Sequence, residues 1–355
     1  MLMVIIAAAV LGAAVLFCLV TMIGSWIAYK RFFRRRFNGN PNLRYFTAED
    51  FPAMKADPVT FASDRGQILR GYIYSSENAE PRGLIVFSHG FGAGHQSYTT
   101  EINTLAQAGF AVLAYDGTGC VASDGDCFRG FDQGPIDLKY ALRFAAEDER
   151  LRRFDRVVLF GHSWGAFSVM NCAEEKRVAG VVAMCGFISS AAVVAQSAVG
   201  QNKKKRARAF WHILFPWLYL LNKTSFGENA NKNSLGSLLA TKKEVLLMYG
   251  EKDNTVYFPN NGAILQEKLK DKKNIRFQSY QDKGHNVYLT CEAEREMNRV
   301  FGEIAKVSSK EKTRLKQMYA NVNYEEITQE DENVMGEAIR FCRRLTGVFP
   351  RRTDC

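Results

Sequence analysis

Between residues 84 and 280 the sequence repeats one pattern, in which a short, mostly apolar run is followed by a longer stretch suited to a helix. The runs are Leu84 to Ser88, Ala111 to Tyr115, Val157 to Phe160, Val178 to Met184, Glu244 to Tyr249 and Ile275 to Tyr280. Strands of this kind are buried on both faces and belong to a mostly parallel sheet with helices on either side. Helices are predicted over Tyr98 to Ala108, over Ile136 to Ala146, directly after Trp164 and over Asn261 to Leu269. Two alternating runs, Val59 to Ala62 and Ile68 to Tyr74, predict an antiparallel hairpin that opens the sheet. The pattern breaks at Phe187 and resumes at Glu244, which marks residues 187–243 as an insertion. The fold class is therefore α/β.

Leu2 to Tyr29 carry no charge, and at about 1.5 Å per residue this stretch exceeds a hydrocarbon core of about 30 Å. Mean hydropathy over the whole chain is only -0.19, so a protein of many spans is excluded while one N-terminal transmembrane helix is expected. Basic residues follow the span (Lys30, Arg31, Arg34, Arg35 and Arg36) instead of preceding it. A cleaved signal shows the reverse order, so an uncleaved anchor is expected over residues 1–29, with a basic juxtamembrane linker over 30–54. Positive flanks stay cytoplasmic, which places everything after Lys30 in the cytoplasm at the cell membrane. Trp26 and Tyr29 are expected at the interface on that side.

The net charge of +10 is concentrated in two places, residues 1–48 and the block Lys203, Lys204, Lys205, Arg206 and Arg208. Both adjoin strongly apolar segments, unlike the basic face of a nucleic-acid binder, and an anionic membrane surface is the better partner. Eight cysteines are scattered without a C-x-x-C pair or zinc spacing, as free thiols of a cytoplasmic domain are. Neither a metal nor an organic cofactor is expected.

Gly161-His162-Ser163-Trp164-Gly165 fits G-x-S-x-G, with a strand predicted before it and a helix after it. Such an elbow exposes a serine hydroxyl at the top of a sheet, so Ser163 is the candidate nucleophile. A serine needs a general base. Of five histidines, His89 and His162 lie in glycine turns, His95 is too close to the first loop and His212 is in the insertion, which leaves His285 after the last strand. Asp253, after the strand Glu244 to Tyr249, is the candidate acid in the order serine, acid, histidine, with Glu251 as competitor. Ser88-His89-Gly90-Phe91-Gly92 ends the first central strand and would bring the Phe91 amide beside that of Trp164 as oxyanion donors.

Over residues 55–345 these motifs resemble the α/β-hydrolase superfamily, nearest to its serine-aminopeptidase-like and monoacylglycerol-lipase-like branch in membrane-anchored bacterial proteins. The resemblance implies an α/β-hydrolase fold with a cap, here residues 187–243, over the site. Tyr115-Asp116-Gly117-Thr118-Gly119 and Ser123-Asp124-Gly125 are similar to the branch's D-x-R-G-x-G-x-S-x-G stretch, with Thr118 in place of the arginine. Asp116 is expected to organise its loop.

Within the cap, the aromatic run Phe210 to Leu221 offers Trp211, Phe215 and Trp217 as candidate substrate contacts. The run is expected either to pack on the domain or to touch the membrane, and Pro216 and its length argue against a second span. Residues 291–328 form an extra charged segment in which the sequence suggests no chemistry, Gln329 to Leu345 form a final packing helix, and 346–355 a tail. The reading is a serine hydrolase of carboxylic esters, acyl or lipid-like, acting through an acyl-enzyme on a small-molecule or lipid ester. A serine peptidase or acyltransferase with the same residues is the alternative, and a silent binding protein on the same fold is a third reading.

Overall fold

The structure is a computed structural model. It describes the backbone of residues 1–199 and 205–347, and the side chains of these except 195–199 and 205–212. Lys203 and Lys204, the side chains of Lys205, Arg206, Arg208, Trp211 and His212, and most of the tail lie outside the described residues.

Among the described residues eight strands form one sheet: β1 (Met54–Ala62), β2 (Ile68–Ser76), β3 (Gly83–Ser88), β4 (Phe110–Tyr115), β5 (Val157–His162), β6 (Val178–Met184), β7 (Glu244–Gly250) and β8 (Ile275–Tyr280). Their spatial order is β1-β2-β4-β3-β5-β6-β7-β8. The β1–β2 hairpin joins antiparallel at one edge, and every pair from β4 to β8 is parallel. This is the expected mostly parallel sheet with its antiparallel opening hairpin.

Among the described residues twelve α-helices accompany it. α1 (Leu2–Phe33) precedes the sheet, and α2 (Thr99–Gln107), α3 (Gln133–Glu147) and α4 (Trp164–Met170) connect the central strands. α5 (Ser190–Val199), α6 (Lys205–Phe226) and α7 (Ser234–Ala240) make up the insertion, and α8 (Gly262–Leu269) links β7 to β8. α9 (Cys291–Ile304), α10 (Lys312–Ala320), α11 (Tyr324–Ile327) and α12 (Glu332–Thr346) close the chain.

Side chains of a strand alternate between faces, so an all-apolar strand feeds two cores at once. Leu84, Val86, Val157 and Leu159 pack with α3, α4, α7 and α8, whereas Ile85, Phe87, Val158 and Phe160 pack with α2 and α12 on the other face. β3 and β5 sit at the middle of the sheet with Ser88 level with Gly161. Here the direction of strand progression reverses, which puts a crevice at the carboxyl ends of these strands.

Two boundaries differ from expectation. The first helix does not stop at residue 29 but runs to Phe33, and both Tyr29 and Phe33 are buried. Tyr29 therefore packs into the protein instead of marking a membrane interface, whereas Trp26 stays exposed with the Lys30 ammonium 3.5 Å over its ring. Nor are residues 30–54 a free linker. Phe37 bridges to Cys120, and the Arg36 guanidinium donates to the carbonyls of Val121 (2.6 Å) and Gly125 (2.9 Å). Part-buried contacts, invisible in a polar sequence, hold this stretch against the α/β body.

Candidate active site

β5 ends in the elbow. Ser163 adopts φ 58° and ψ −114°, a conformation that costs a non-glycine residue of order 1–3 kcal/mol and persists only when its surroundings enforce it. The enforcement is visible: the Ser163 amide donates to the Met184 carbonyl (2.8 Å), and its own carbonyl starts α4 by accepting from Phe167 (3.0 Å). The flanking glycines are required by space. A Cβ on Gly165 would stand 1.8 Å from the Ser88 carbonyl oxygen, and one on Gly161 would stand 2.4 Å from Gly165. The helix can therefore begin directly beneath β3, which lifts the serine to the sheet's upper edge.

The loops after β7 and β8 bring the other two candidates together. Asp253 is 1% exposed, and its Oδ2 receives the His285 Nδ1 proton at 2.7 Å. Its Oδ1 accepts from the amides of Thr255 (2.8 Å) and Val256 (2.9 Å), so the carboxylate is fixed as well as buried. The competitor Glu251 turns to β8, where the Ser279 hydroxyl donates to it at 2.7 Å. Among the described residues no hydrogen bond joins Ser163 Oγ to the imidazole, a contact that commonly tightens only with substrate bound.

The turn after β3 lies against the elbow. Gly90 Cα is so close to Tyr98 that a Cβ would meet its hydroxyl at 2.5 Å and Ser163 Cβ at 3.5 Å. Among the described residues neither the Phe91 nor the Trp164 amide is engaged in another hydrogen bond. The two histidines of the glycine turns are supports. Gly117 N–H donates to His89 Nε2 (2.9 Å), whose Nδ1–H donates to the Gly90 carbonyl (2.7 Å). Gly90 N–H donates to Tyr98 Oη (3.0 Å), Tyr98 Oη–H to His162 Nδ1 (2.9 Å), and His162 Nε2–H to the His285 carbonyl (2.9 Å). Burial, with the nearby His285 second, holds His162 well below the usual imidazole range, so it serves as a neutral link between the three loops. Asp116 organises its loop, accepting from the His95 amide (2.9 Å), His95 Nδ1 (2.8 Å) and the Ala122 amide (3.0 Å).

Among the described residues, Cys185 Sγ, an Asp253 oxygen and a His285 nitrogen lie within 4.8 Å of one another, a donor set that could hold an ion. An ion would have to replace the Asp253–His285 hydrogen bond, and burial pushes the Cys185 thiol well up, against the thiolate that metals need.

Sequence reasoning missed two contributions. Glu294, in α9 of the extra charged segment, accepts from the Gly284 amide (2.8 Å) and the Asn286 amide (2.8 Å), on either side of His285. The segment in which the sequence suggests no chemistry thus braces the histidine loop through Glu294, and Ala293, Ile304, Tyr324 and Ile327 are buried beside it in the same segment. The acidic first turn of α9 was legible, but not which glutamate faces inward. The second is an aromatic roof. Phe91, Phe128, Phe131, Phe187 and Trp164 are joined in it by Phe32 and Phe33 of α1. Of the cap candidates, Phe215 packs at the edge of this roof, whereas the Trp217 indole N–H donates to Thr21 Oγ1 of α1 (3.0 Å) and so faces the first helix.

This arrangement of elbow, later acid and last histidine over one mostly parallel sheet defines the α/β-hydrolase class. Within that class the chain belongs to the family described as serine aminopeptidase, S33, which it matches over residues 79–257. The match includes Ser163 and Asp253, and His285 lies beyond it. None of the curated proteins matches the sequence. Among solved structures, the fold is similar to an esterase of Pyrococcus furiosus (TM-score 0.54, 18% identity, covering 81% of this chain and 98% of that one). It is similar also to an acetyl xylan esterase from Paenibacillus sp. R4 (0.51, 15%, 81% and 94%). An acylaminoacyl peptidase of Pyrococcus horikoshii shares it too (0.51, 16%, 73% and 42%). α1 is long and apolar enough to cross a membrane.

Proposed function

We propose that the protein is a membrane-anchored serine hydrolase that cleaves carboxylic esters with an apolar acyl part. Ser163 attacks the ester carbonyl, His285 takes its proton and returns it to the leaving alcohol, and Asp253 holds the imidazole tautomer and stabilises the imidazolium. The amides of Phe91 and Trp164 stabilise the oxyanion. Water activated by His285 then releases the acyl group. The observation that carries the reading is the buried Asp253–His285 hydrogen bond of 2.7 Å on loops beside a serine held at positive φ. The roof of phenylalanines favours an apolar acyl or lipid-like ester over a polar metabolite.

A retained anchor is supported by the burial of Tyr29 and Phe33, because a helix cleaved away would leave their cavity in the body empty. The basic residues after it favour a cytoplasmic catalytic domain at the cell membrane.

Labelling of the full-length chain with a fluorophosphonate, followed by an ester panel, tests the reading. Ser163→Ala should abolish labelling and lower hydrolysis by several orders of magnitude; labelling at the wild-type rate would remove Ser163 as nucleophile. The family's aminopeptidase description keeps an amide substrate as the second reading. Turnover of aminoacyl p-nitroanilides above that of matched esters would favour it.

A further inference from the structure

The amide of Phe91 shares a peptide unit with the Gly90 carbonyl. A peptide is planar and trans, so its C=O and N–H point in opposite directions, and whatever holds the one aims the other. The Gly90 carbonyl is held by His89, whose Nδ1–H donates to it at 2.7 Å. Nδ1 carries that proton because Nε2 is engaged as an acceptor, from the Gly117 amide at 2.9 Å. Burial keeps His89 below the usual imidazole range, so the ring is neutral and its two partners select this tautomer.

Gly117 is fixed in turn by a buried carboxylate on α3. The amide of the next residue, Thr118, donates to Asp137 Oδ2 (2.8 Å), and the Thr118 hydroxyl donates to Oδ1 (2.9 Å). Gly117 lies between the carboxylate and the imidazole: a Cβ added to it would stand 3.5 Å from both Asp137 Oδ2 and His89 Nε2. Oδ1 also accepts from Ser63 Oγ (2.6 Å), directly after β1, and from Gln133 Nε2 (2.8 Å) at the start of α3. Asp137, Thr118, Gln133 and Ser63 are all buried. A buried carboxylate is costly to keep, and this one joins the β1–β2 turn, the loop after β4 and α3. His89, Gly117, Asp137 and Trp164 border one small gap, which sets the carboxylate beside the elbow.

We propose that Asp137 is a positioning residue of the oxyanion site: through Thr118, Gly117 and His89 it sets the plane of the Gly90–Phe91 peptide, and so the direction of the Phe91 N–H. The proposal rests on the serine-hydrolase reading above, in which that N–H meets the developing charge. Oxyanion donors work by being aimed before the charge forms, and the loss of one costs about a hundredfold to a thousandfold in kcat. A group that only aims such a donor acts on kcat and leaves ground-state binding alone. Because its influence passes through one imidazole, Asp137 has no further effect on kcat once that imidazole is gone.

The test is a double-mutant cycle on the full-length chain in detergent micelles, with p-nitrophenyl acetate as substrate. Asp137→Ala should lower kcat about thirtyfold with KM within about twofold. It should weaken by the same factor a trifluoromethyl ketone, which binds as an oxyanion when Ser163 Oγ adds to its carbonyl carbon and the serine proton passes to His285. His89→Leu fills the space of the ring without either hydrogen bond and should cost about as much, and the double variant should lose no more than either alone. Losses that multiply, a KM that rises with the fall in kcat, or an unmoved kcat overturns the proposal. The pH midpoint of kcat/KM, set by His285 and Asp253, should stay in place; a shift would put the damage in the triad and overturn it as well. If circular dichroism shows that either variant is unfolded, Asp137→Asn and His89→Gln carry the same cycle with losses of about fivefold each. If the wild type does not hydrolyse the ester, the ester reading fails; the rate of fluorophosphonate labelling, which uses Ser163 and the same donors, then decides the positioning separately. A chain that neither hydrolyses nor labels overturns both.

Discussion

Glu294 Oε2 accepts a hydrogen bond from the Gly284 amide at 2.8 Å. With Oε1 on the Asn286 amide and His162 on the carbonyl between them, the main chain around His285 is held from both sides. A carboxylate buried to 8% exposure that receives two amides is a rigid brace, and its removal leaves two donors unpaired at about 1–3 kcal/mol each.

Glu294→Gln keeps one acceptor and turns an NH2 group toward the other amide. We expect kcat to fall about tenfold with KM little changed, and Glu294→Ala to fall further, since a misplacement of about 1 Å can cost a hundredfold. Steady-state kinetics on a soluble ester checks this. Equal effects on KM and kcat, or none, would make Glu294 a surface-closing residue only.

For the acid, Asp253→Asn should lower kcat by about three to four orders of magnitude. Its amide oxygen can still accept from Thr255 and Val256, but its NH2 then faces His285 Nδ1 and selects the wrong tautomer. Glu251→Gln should leave kcat within about threefold, because its partner is Ser279. The reverse order of effects would transfer the role to Glu251.

Stability should depend on pH through Glu330. Burial pushes its carboxyl up to about 7, and the adjacent buried Glu101 is raised by its own burial and by Glu330. A folded-state value above the unfolded value near 4.5 means that the fold binds the proton more tightly. Stability from this group is complete below about 4.5 and is lost as pH rises through about 7. Glu330→Gln should remove that loss, on the order of 2 kcal/mol at pH 8, in urea unfolding followed at pH 5 and pH 8. An unchanged pH slope would show that the pair does not govern it.

Topology can be read from Lys268, which is exposed on α8. A Lys268→Cys variant in intact cells should resist a membrane-impermeant maleimide and react once the cells are permeabilised. Labelling before permeabilisation would place the hydrolase body outside the cytoplasm.

The sequence by itself determined the sheet and the elbow. Apolar strands that must bury both faces have few alternatives, and β6 and β8 fall on the residues the pattern predicts. The spacing of Gly161, Ser163 and Gly165 encodes a close approach that no larger residue permits. Asp253 and His285 were legible as types in order, because each follows a strand whose end must lie at the same edge. Only the tertiary structure shows that Asp253, and not Glu251, meets His285, since that depends on which carboxylate turns inward. Likewise, only packing turned the charged segment after Thr290 into the brace of the histidine loop, and the end of an apolar first helix into part of the roof. Periodicity reports which face of an element is apolar; it does not report which distant element that face will meet, and Phe32 and Phe91, or Glu294 and Gly284, are neighbours only once the chain has closed.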